Sequence, residues 1–258
     1  MTKYIVIASG KGGVGKTTTA INLGKALVDF GRDVIVVDAN LSKPNVGLHL
    51  GSTALPVTLH DVMKKEKNIK EAIYIHPSGL KVIPGSISFH DLEELEMQNL
   101  NEVLHGLDGL TELVIIDAAP GIHSEAIEAI KAADELIVVV QPNMLSVTDA
   151  LKTIKVAEKV GTKVIGIIMN NFNHKVAHLS RKSIESILEK NIIGEISDDN
   201  NINKSLRLRH PVIYSHPDSP SSIDFKKVAA FLIGQKYEAP LRQDTRISGF
   251  LRKIGLKE

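Results

Sequence analysis

Residues 9–18 read Ser9-Gly10-Lys11-Gly12-Gly13-Val14-Gly15-Lys16-Thr17-Thr18, and no other stretch so narrows what the chain can fold into. Gly10 to Thr17 fits G-x-x-x-x-G-K-T, placed directly after the apolar run Tyr4-Ile5-Val6-Ile7-Ala8 and directly before a segment patterned as a helix. Between a strand and a helix, glycines let consecutive backbone N–H groups turn inward into an anion-binding nest, to which the helix adds the positive end of its dipole. This spacing predicts that Gly10, Lys11, Gly12, Gly13, Val14, Gly15, Lys16, Thr17 and Thr18 hold the phosphates of ATP. Lys16 is expected to reach the β- and γ-phosphates, and the Thr17 hydroxyl to ligate Mg²⁺ with ATP or ADP.

The strand that leads into the loop has counterparts. Short β-branched runs recur at 33–38, 81–84, 113–117, 136–141 and 163–170, each nearly continuous in apolarity, as in strands buried on both faces. Helical patterns lie between them at 17–30, 91–105, 124–133, 146–160 and 180–190, several opened by a Ser or Asp suited to N-capping. Gly31 stands where a C′ glycine ends the first helix. The alternation predicts an α/β fold, a mainly parallel twisted sheet with helices on both faces. At 258 residues, with 43% hydrophobic and 24% charged residues, one large domain over 1–234 is the expectation. A polar linker, 235–245, then leads to a separate segment, 246–258.

Composition narrows the partners. Lys plus Arg number 31 against 30 Asp plus Glu, so no global field points to nucleic acid, and any attraction to DNA or lipid is local. There is no cysteine, which excludes thiolate metal sites and a cysteine-held iron–sulfur cluster. No signal peptide and no apolar run of spanning length are expected, which predicts a cytoplasmic protein.

Two aspartates end apolar runs: Asp38 after Val34-Ile35-Val36-Val37, and Asp117 after Leu113-Val114-Ile115-Ile116. At the carboxyl edge of an open α/β sheet, where ligands bind, both are candidates to hold magnesium through water, since this ion sheds its hydration shell reluctantly.

Lys11, at the second position of the loop, resembles the signature lysine of the deviant Walker A family, which includes MinD, ParA, nitrogenase iron protein and Mrp-type scaffolds. The resemblance to the MinD branch, in its archaeal-type forms, covers nearly the whole chain. Its markers are residues 8–18, Asp38-Ala39-Asn40-Leu41-Ser42-Lys43-Pro44-Asn45-Val46-Gly47, Val57-Thr58-Leu59-His60-Asp61-Val62, Lys81-Val82-Ile83-Pro84-Gly85, Ala132-Ala133-Asp134-Glu135 and Ser146-Val147-Thr148-Asp149. The resemblance implies an ATPase and an ATP-dependent homodimer in which Lys11 crosses to the partner's nucleotide, as an arginine finger does elsewhere. It also implies that Asn170 and Asp198 contact the adenine base, although Ser197 replaces the proline of the family's Pro-x-Asp-like loop. The iron-protein and Mrp branches need cluster-ligating cysteines.

Of two further departures, the first bears on turnover and the second on the backbone after Asp117. Where MinD proteins usually carry a second aspartate, this chain has Asn40. An amide can orient an attacking water but cannot take its proton, which predicts slow hydrolysis. Asp149 is the candidate substitute carboxylate. After Asp117 the chain reads Ala118-Ala119-Pro120-Gly121, with the proline moved one place from the commoner Asp-x-Pro-x-Gly.

In the final segment Ile247, Phe250, Leu251 and Ile254 fall on one helical face, with Arg252 and Lys253 elsewhere. A basic amphipathic helix after a polar linker reads as an interfacial anchor for an anionic membrane, and it resembles the C-terminal membrane-targeting helix of MinD. Docking of this helix on its own core is the alternative. The expected function is a spatial regulator, peripherally bound to the inner face of the cell membrane, that recruits an unidentified protein partner. A ParA-like partitioning ATPase is the runner-up, its DNA face built from Lys175, Arg181, Lys182, Arg207 and Arg209. A nucleotide switch or adaptor without useful turnover is the third reading.

Overall fold

The computed structural model describes residues 1–52, 55–88, 100–173 and 179–238. Residues 91–99 of the helix expected over 91–105, Lys175, the linker beyond 238 and the segment 246–258 with Ile247, Phe250, Leu251, Arg252, Lys253 and Ile254 lie outside the described residues.

Eight strands among the described residues form one sheet: β1 Lys3–Ala8, β2 Val34–Ala39, β3 Tyr74–Ile75, β4 Lys81–Ile83, β5 Leu113–Ala118, β6 Glu135–Val140, β7 Lys163–Phe172 and β8 Ile192–Ser197. Their order is β3-β4-β2-β5-β1-β6-β7-β8, and every pairing is parallel except the short β3–β4 hairpin edge. The six expected strands are present, and the sheet gains β3 and β8 at its two edges. Neither announces itself in sequence, because β3 has two residues and β8 is only partly buried along most of its length.

The helices are α1 Lys16–Asp29, α2 Val46–Leu50, α3 Leu59–Met63, α4 Leu100–His105, α5 Ser124–Lys131, α6 Met144–Val160, α7 Arg181–Leu188, α8 Asn200–Leu208, α9 Val212–Ser215 and α10 Pro220–Leu232. The start of α6 and five helices absent from the sequence reading, α2, α3, α8, α9 and α10, correct it. α6 starts before Ser146, because the Asn143 side chain accepts the Ser146 N–H at 3.0 Å and caps the helix. α10 was not expected, although Ser219 at the cap and Pro220 in the first turn are a helix-start signature. α1 ends as its glycine suggests: Arg32 N–H bonds Leu27 O at 3.0 Å and Gly31 N–H bonds Val28 O at 2.9 Å, the Schellman pairing.

Alternate residues of the central strands feed two cores. Val6, Val37, Ile116 and Val138 face one side, where α5 and α6 cover them with Ala129, Ile130, Val147 and Ile154. Ile7, Val36, Ile115 and Val139 face the other, under Ile21 and Leu27 of α1 and Phe225 and Val228 of α10. Strands buried on both faces must be apolar throughout, and each such side chain contributes about 1.5–3 kcal/mol by leaving water. Both helix layers thus clamp the central strands, and the carboxyl ends of those strands are free to build a site.

Candidate functional site

β1 ends at Ala8 and α1 begins at Lys16; the seven residues between them form the loop. Gly15 caps α1 with φ +98°, offers no side-chain cap, and the first turn of α1 contains no acid. The helix therefore opens with N–H groups that no side chain satisfies, which is what a phosphate requires. Two close approaches fix the loop. A Cβ at Gly10 would lie 2.1 Å from the Asp149 carbonyl oxygen, and one at Gly15 would lie 2.1 Å from Asn170 Nδ2. A further tie runs from Gly121 N–H to Ser9 O at 3.0 Å, joining the loop to the turn after β5.

The two lysines of the loop differ. Lys16 is 7% exposed, and burial lowers its pKa against the pull of the nearby Asp117 charge. Lys11 is exposed on the rim, and its carbonyl accepts from the Ser9 hydroxyl at 2.6 Å. Thr18 and Thr17 are half-buried, and the Thr17 hydroxyl donates to Asp117 Oδ2 at 2.5 Å.

Asp38 and Asp117 lie side by side, paired in register at the ends of neighbouring strands β2 and β5, and both are fully buried. Burial, then the Asp117 charge, pushes Asp38 well above the usual carboxylate range, against hydrogen bonds from the N–H groups of Val46 (2.8 Å), Asn45 (2.8 Å) and Asn40 (3.3 Å). Burial raises Asp117 to about 6, against the Thr17 hydroxyl and the Lys16 charge. Asp117 Oδ1 is buried without a hydrogen-bond partner among the described residues. Two acids in a dry site repel one another, and a divalent cation relieves that repulsion. Hard oxygen donors, an orphaned carboxylate oxygen and a hydroxyl whose proton is already spent on Asp117 fit Mg²⁺.

The remaining sequence candidates sit around this centre. Asn40 is buried, in a turn closed by Lys43 N–H to Asn40 O at 3.2 Å. Asn170, at the end of β7, spends its amide N–H on Val14 O at 2.7 Å, while its Oδ1 is buried without a partner among the described residues. Asp198 is exposed, its N–H bonded to Phe172 O at 3.0 Å. Its neighbour Asp199 is engaged elsewhere, capping α8 through Asn201 N–H (2.9 Å) and bonding Ser221 of α10 through N–H (3.2 Å) and hydroxyl (2.7 Å). Asp149 is the sixth residue of α6 rather than the fourth of a helix, and its carboxylate accepts from Lys152 at 3.0 Å. Sequence reading missed one buried acid, Glu125 in the first turn of α5, whose two oxygens hold the backbone N–H of Ser42 at 2.9 Å and the Ser42 hydroxyl. No local pattern signals a contact between residues so far apart in the chain.

A glycine loop at the head of a parallel sheet, a buried lysine and two strand-end acids define a P-loop nucleotide-binding protein. Comparison with known proteins refines that class. A family model described as an AAA domain matches residues 2–170. An uncharacterized ATP-binding protein of Methanocaldococcus jannaschii, MJ0547, is 42% identical over 97% of this chain and 96% of its own length. The septum site-determining protein MinD of Synechocystis is 31% identical over 91% of each chain. The structure of MinD from Pyrococcus horikoshii in complex with Mg-ADP is 30% identical, covers 90% of this chain and 96% of its own, and superposes with a TM-score of 0.86. The chain belongs to the MinD/ParA family of P-loop ATPases.

Proposed function

We propose that the chain is a MinD-type spatial regulator that binds ATP with Mg²⁺, pairs with a second copy while ATP is bound, hydrolyses the nucleotide slowly and associates reversibly with an anionic membrane. The observation that carries the reading is the contrast between the two loop lysines. Lys16 is buried beside Asp117, placed for the chain's own nucleotide, whereas Lys11 stands exposed with no acid paired to it among the described residues. A rim cation that its own fold leaves unused suits the phosphates of a nucleotide held by a facing copy.

Within each site the chain's groups divide the work. The N–H groups of residues 10–18 and the Lys16 ammonium bind and orient the triphosphate. Thr17, Asp38 and Asp117 would hold magnesium, which supplies charge neutralisation at the phosphates when bound. The Asn40 amide orients a water without removing its proton, which makes the dimer long-lived. Asn170 and Asp198 border the base side.

Membrane association rests on the sequence pattern of 246–258. One such segment binds weakly; two presented by an ATP dimer gain effective concentration, so hydrolysis releases the protein and a partner is recruited only while ATP is held. Among the described residues no helix is long and apolar enough to cross a membrane. The DNA-binding alternative loses part of its basis, because Arg181 is tied to Glu185 at 3.2 Å and Glu195 at 3.1 Å.

The test is co-sedimentation with anionic liposomes. Binding with ATP that falls with ADP and with Phe250→Asp supports the reading; binding indifferent to both sinks it. Phosphate release measured against a Lys16→Ala blank checks turnover independently.

A further inference from the structure

We propose that Glu125 is a positioning residue for hydrolysis, a latch that fixes the turn carrying Asn40 and ties the two acid-bearing loops to one another. The proposal rests on the ATPase reading above.

The turn from Asn40 to Asn45 leaves β2 after Ala39, one residue beyond Asp38. It is held at its ends by Asp38, which accepts from Asn40 N–H at 3.3 Å and from Asn45 and Val46 N–H at 2.8 Å each. Its middle is closed by Lys43 N–H to Asn40 O at 3.2 Å. Neither anchor reaches Ser42, which is exposed. Ser42 is fixed instead from the other side of the site, by Glu125, through its backbone N–H at 2.9 Å and through its hydroxyl.

The position of Glu125 gives that contact its meaning. It lies in the first turn of α5, directly after the loop 119–123 that follows Asp117. An acid in a first helical turn ordinarily faces solvent and the helix's own N–H groups. Glu125 is 8% exposed, and a buried acid that sends both oxygens to a single residue is a strong directional clamp. Two loops, each leading away from one of the paired aspartates, are thereby cross-linked. Asn40 cannot change its aim without moving Ser42, and Ser42 cannot move without releasing Glu125 and the start of α5. Phosphate or cation binding felt by either aspartate is passed to both loops together.

The experiment uses the full chain and four variants: Glu125→Ala, Glu125→Gln, Ser42→Ala and the double Ser42→Ala/Glu125→Ala. Glutamine can still accept the Ser42 N–H with its carbonyl oxygen while its amide donates to the hydroxyl. The expected result is that Glu125→Ala lowers kcat by about tenfold or more with the KM for ATP unchanged, as loss of two hydrogen bonds to a buried acceptor allows. Glu125→Gln restores most of the rate, and the double variant is no slower than Glu125→Ala. In parallel, hydrogen exchange is followed with Mg-ADP. In the wild type the nucleotide slows exchange in 40–46 and 118–127 together, and in Glu125→Ala the two segments respond separately.

A kcat unchanged in Glu125→Ala, an equal loss in Glu125→Gln, or a concerted exchange response that survives Glu125→Ala overturns the latch. A wild-type rate equal to that of Lys16→Ala overturns the ATPase reading instead, and the exchange measurement then still decides whether the loops are coupled.

Discussion

One carboxyl edge of the sheet carries two kinds of construction. At the ends of β2 and β5, Asp38 and Asp117 are buried, mutually repelling and shifted up, and Asp117 keeps an oxygen without a partner among the described residues. At the end of β8, Asp199 is saturated: burial works against it, but hydrogen bonds from Asn201, Ser221 and Ser219 prevail and hold it below the usual range. The Asp38–Asp117 side thus stores an electrostatic cost that a bound cation relieves, while the β8 side is finished by the chain itself. A protein that must respond to nucleotide concentrates its unfavourable charge where the ligand arrives and its stability elsewhere.

The contrast is most severely tested at Lys16, the cation buried beside Asp117. Lys16→Ala is expected to lower phosphate release by about 10²–10³-fold, the usual cost of one preorganised donor at a developing charge, measured under saturating Mg-ATP. A smaller loss would mean that the loop's N–H groups suffice alone.

The pH dependence of stability separates the two sides by sign. Asp117 titrates near 3.9 when unfolded and at about 6 when folded, so the folded state holds this proton more tightly. Its stabilisation is fully present below the unfolded value and is lost as pH rises through about 6. Urea midpoints between pH 4 and 7 should fall accordingly, and Asp117→Asn should flatten the fall. Asp199, shifted down, works in the opposite direction: its contribution is present above its unfolded value and lost as pH falls through the folded one.

Removing Asp199 should cost stability and little else. Asp199→Ala deprives α8 of its cap and α10 of a first-turn acceptor, an expected loss of about 1–2 kcal/mol in chemical denaturation with the affinity for ADP unchanged. If ADP affinity falls tenfold, the β8 side is less independent than its hydrogen bonds suggest. The smallest effect is expected at Asn40. Asn40→Asp should raise the single-turnover rate by about tenfold, less than a full general-base contribution because the new carboxylate joins two acids already in place. Equal rates would remove Asn40 from the account of slow turnover.

Sequence legibility followed the same division. The loop and the strand-end aspartates could be read because each is a local event: a glycine run between strand and helix, or an acid closing an apolar run. That Asp38 and Asp117 are register partners could not be, since β-pairing is decided by packing across the whole sheet. β8 escaped because an edge strand need not be continuously apolar, and α10 because its Ser219-Pro220 start lies within a serine-rich stretch. Asn170 was assigned to the base on resemblance alone; the structure adds its bond to Val14, which no spacing rule contains. The clasp between Glu125 and Ser42 lay beyond sequence reading for the same reason.

Gly10 leans against the main chain of Asp149, leaving no room for even a methyl group. The curvature of the phosphate loop is therefore moulded by α6, a helix whose carboxylate at that position is turned to Lys152. Any force that slid α6 along the sheet by a fraction of an ångström, whether from a docking protein or a neighbouring copy, would press on the phosphate cradle through backbone alone. Sensitivity of nucleotide grip to events on the far flank of the molecule is thus written into the absence of one side chain.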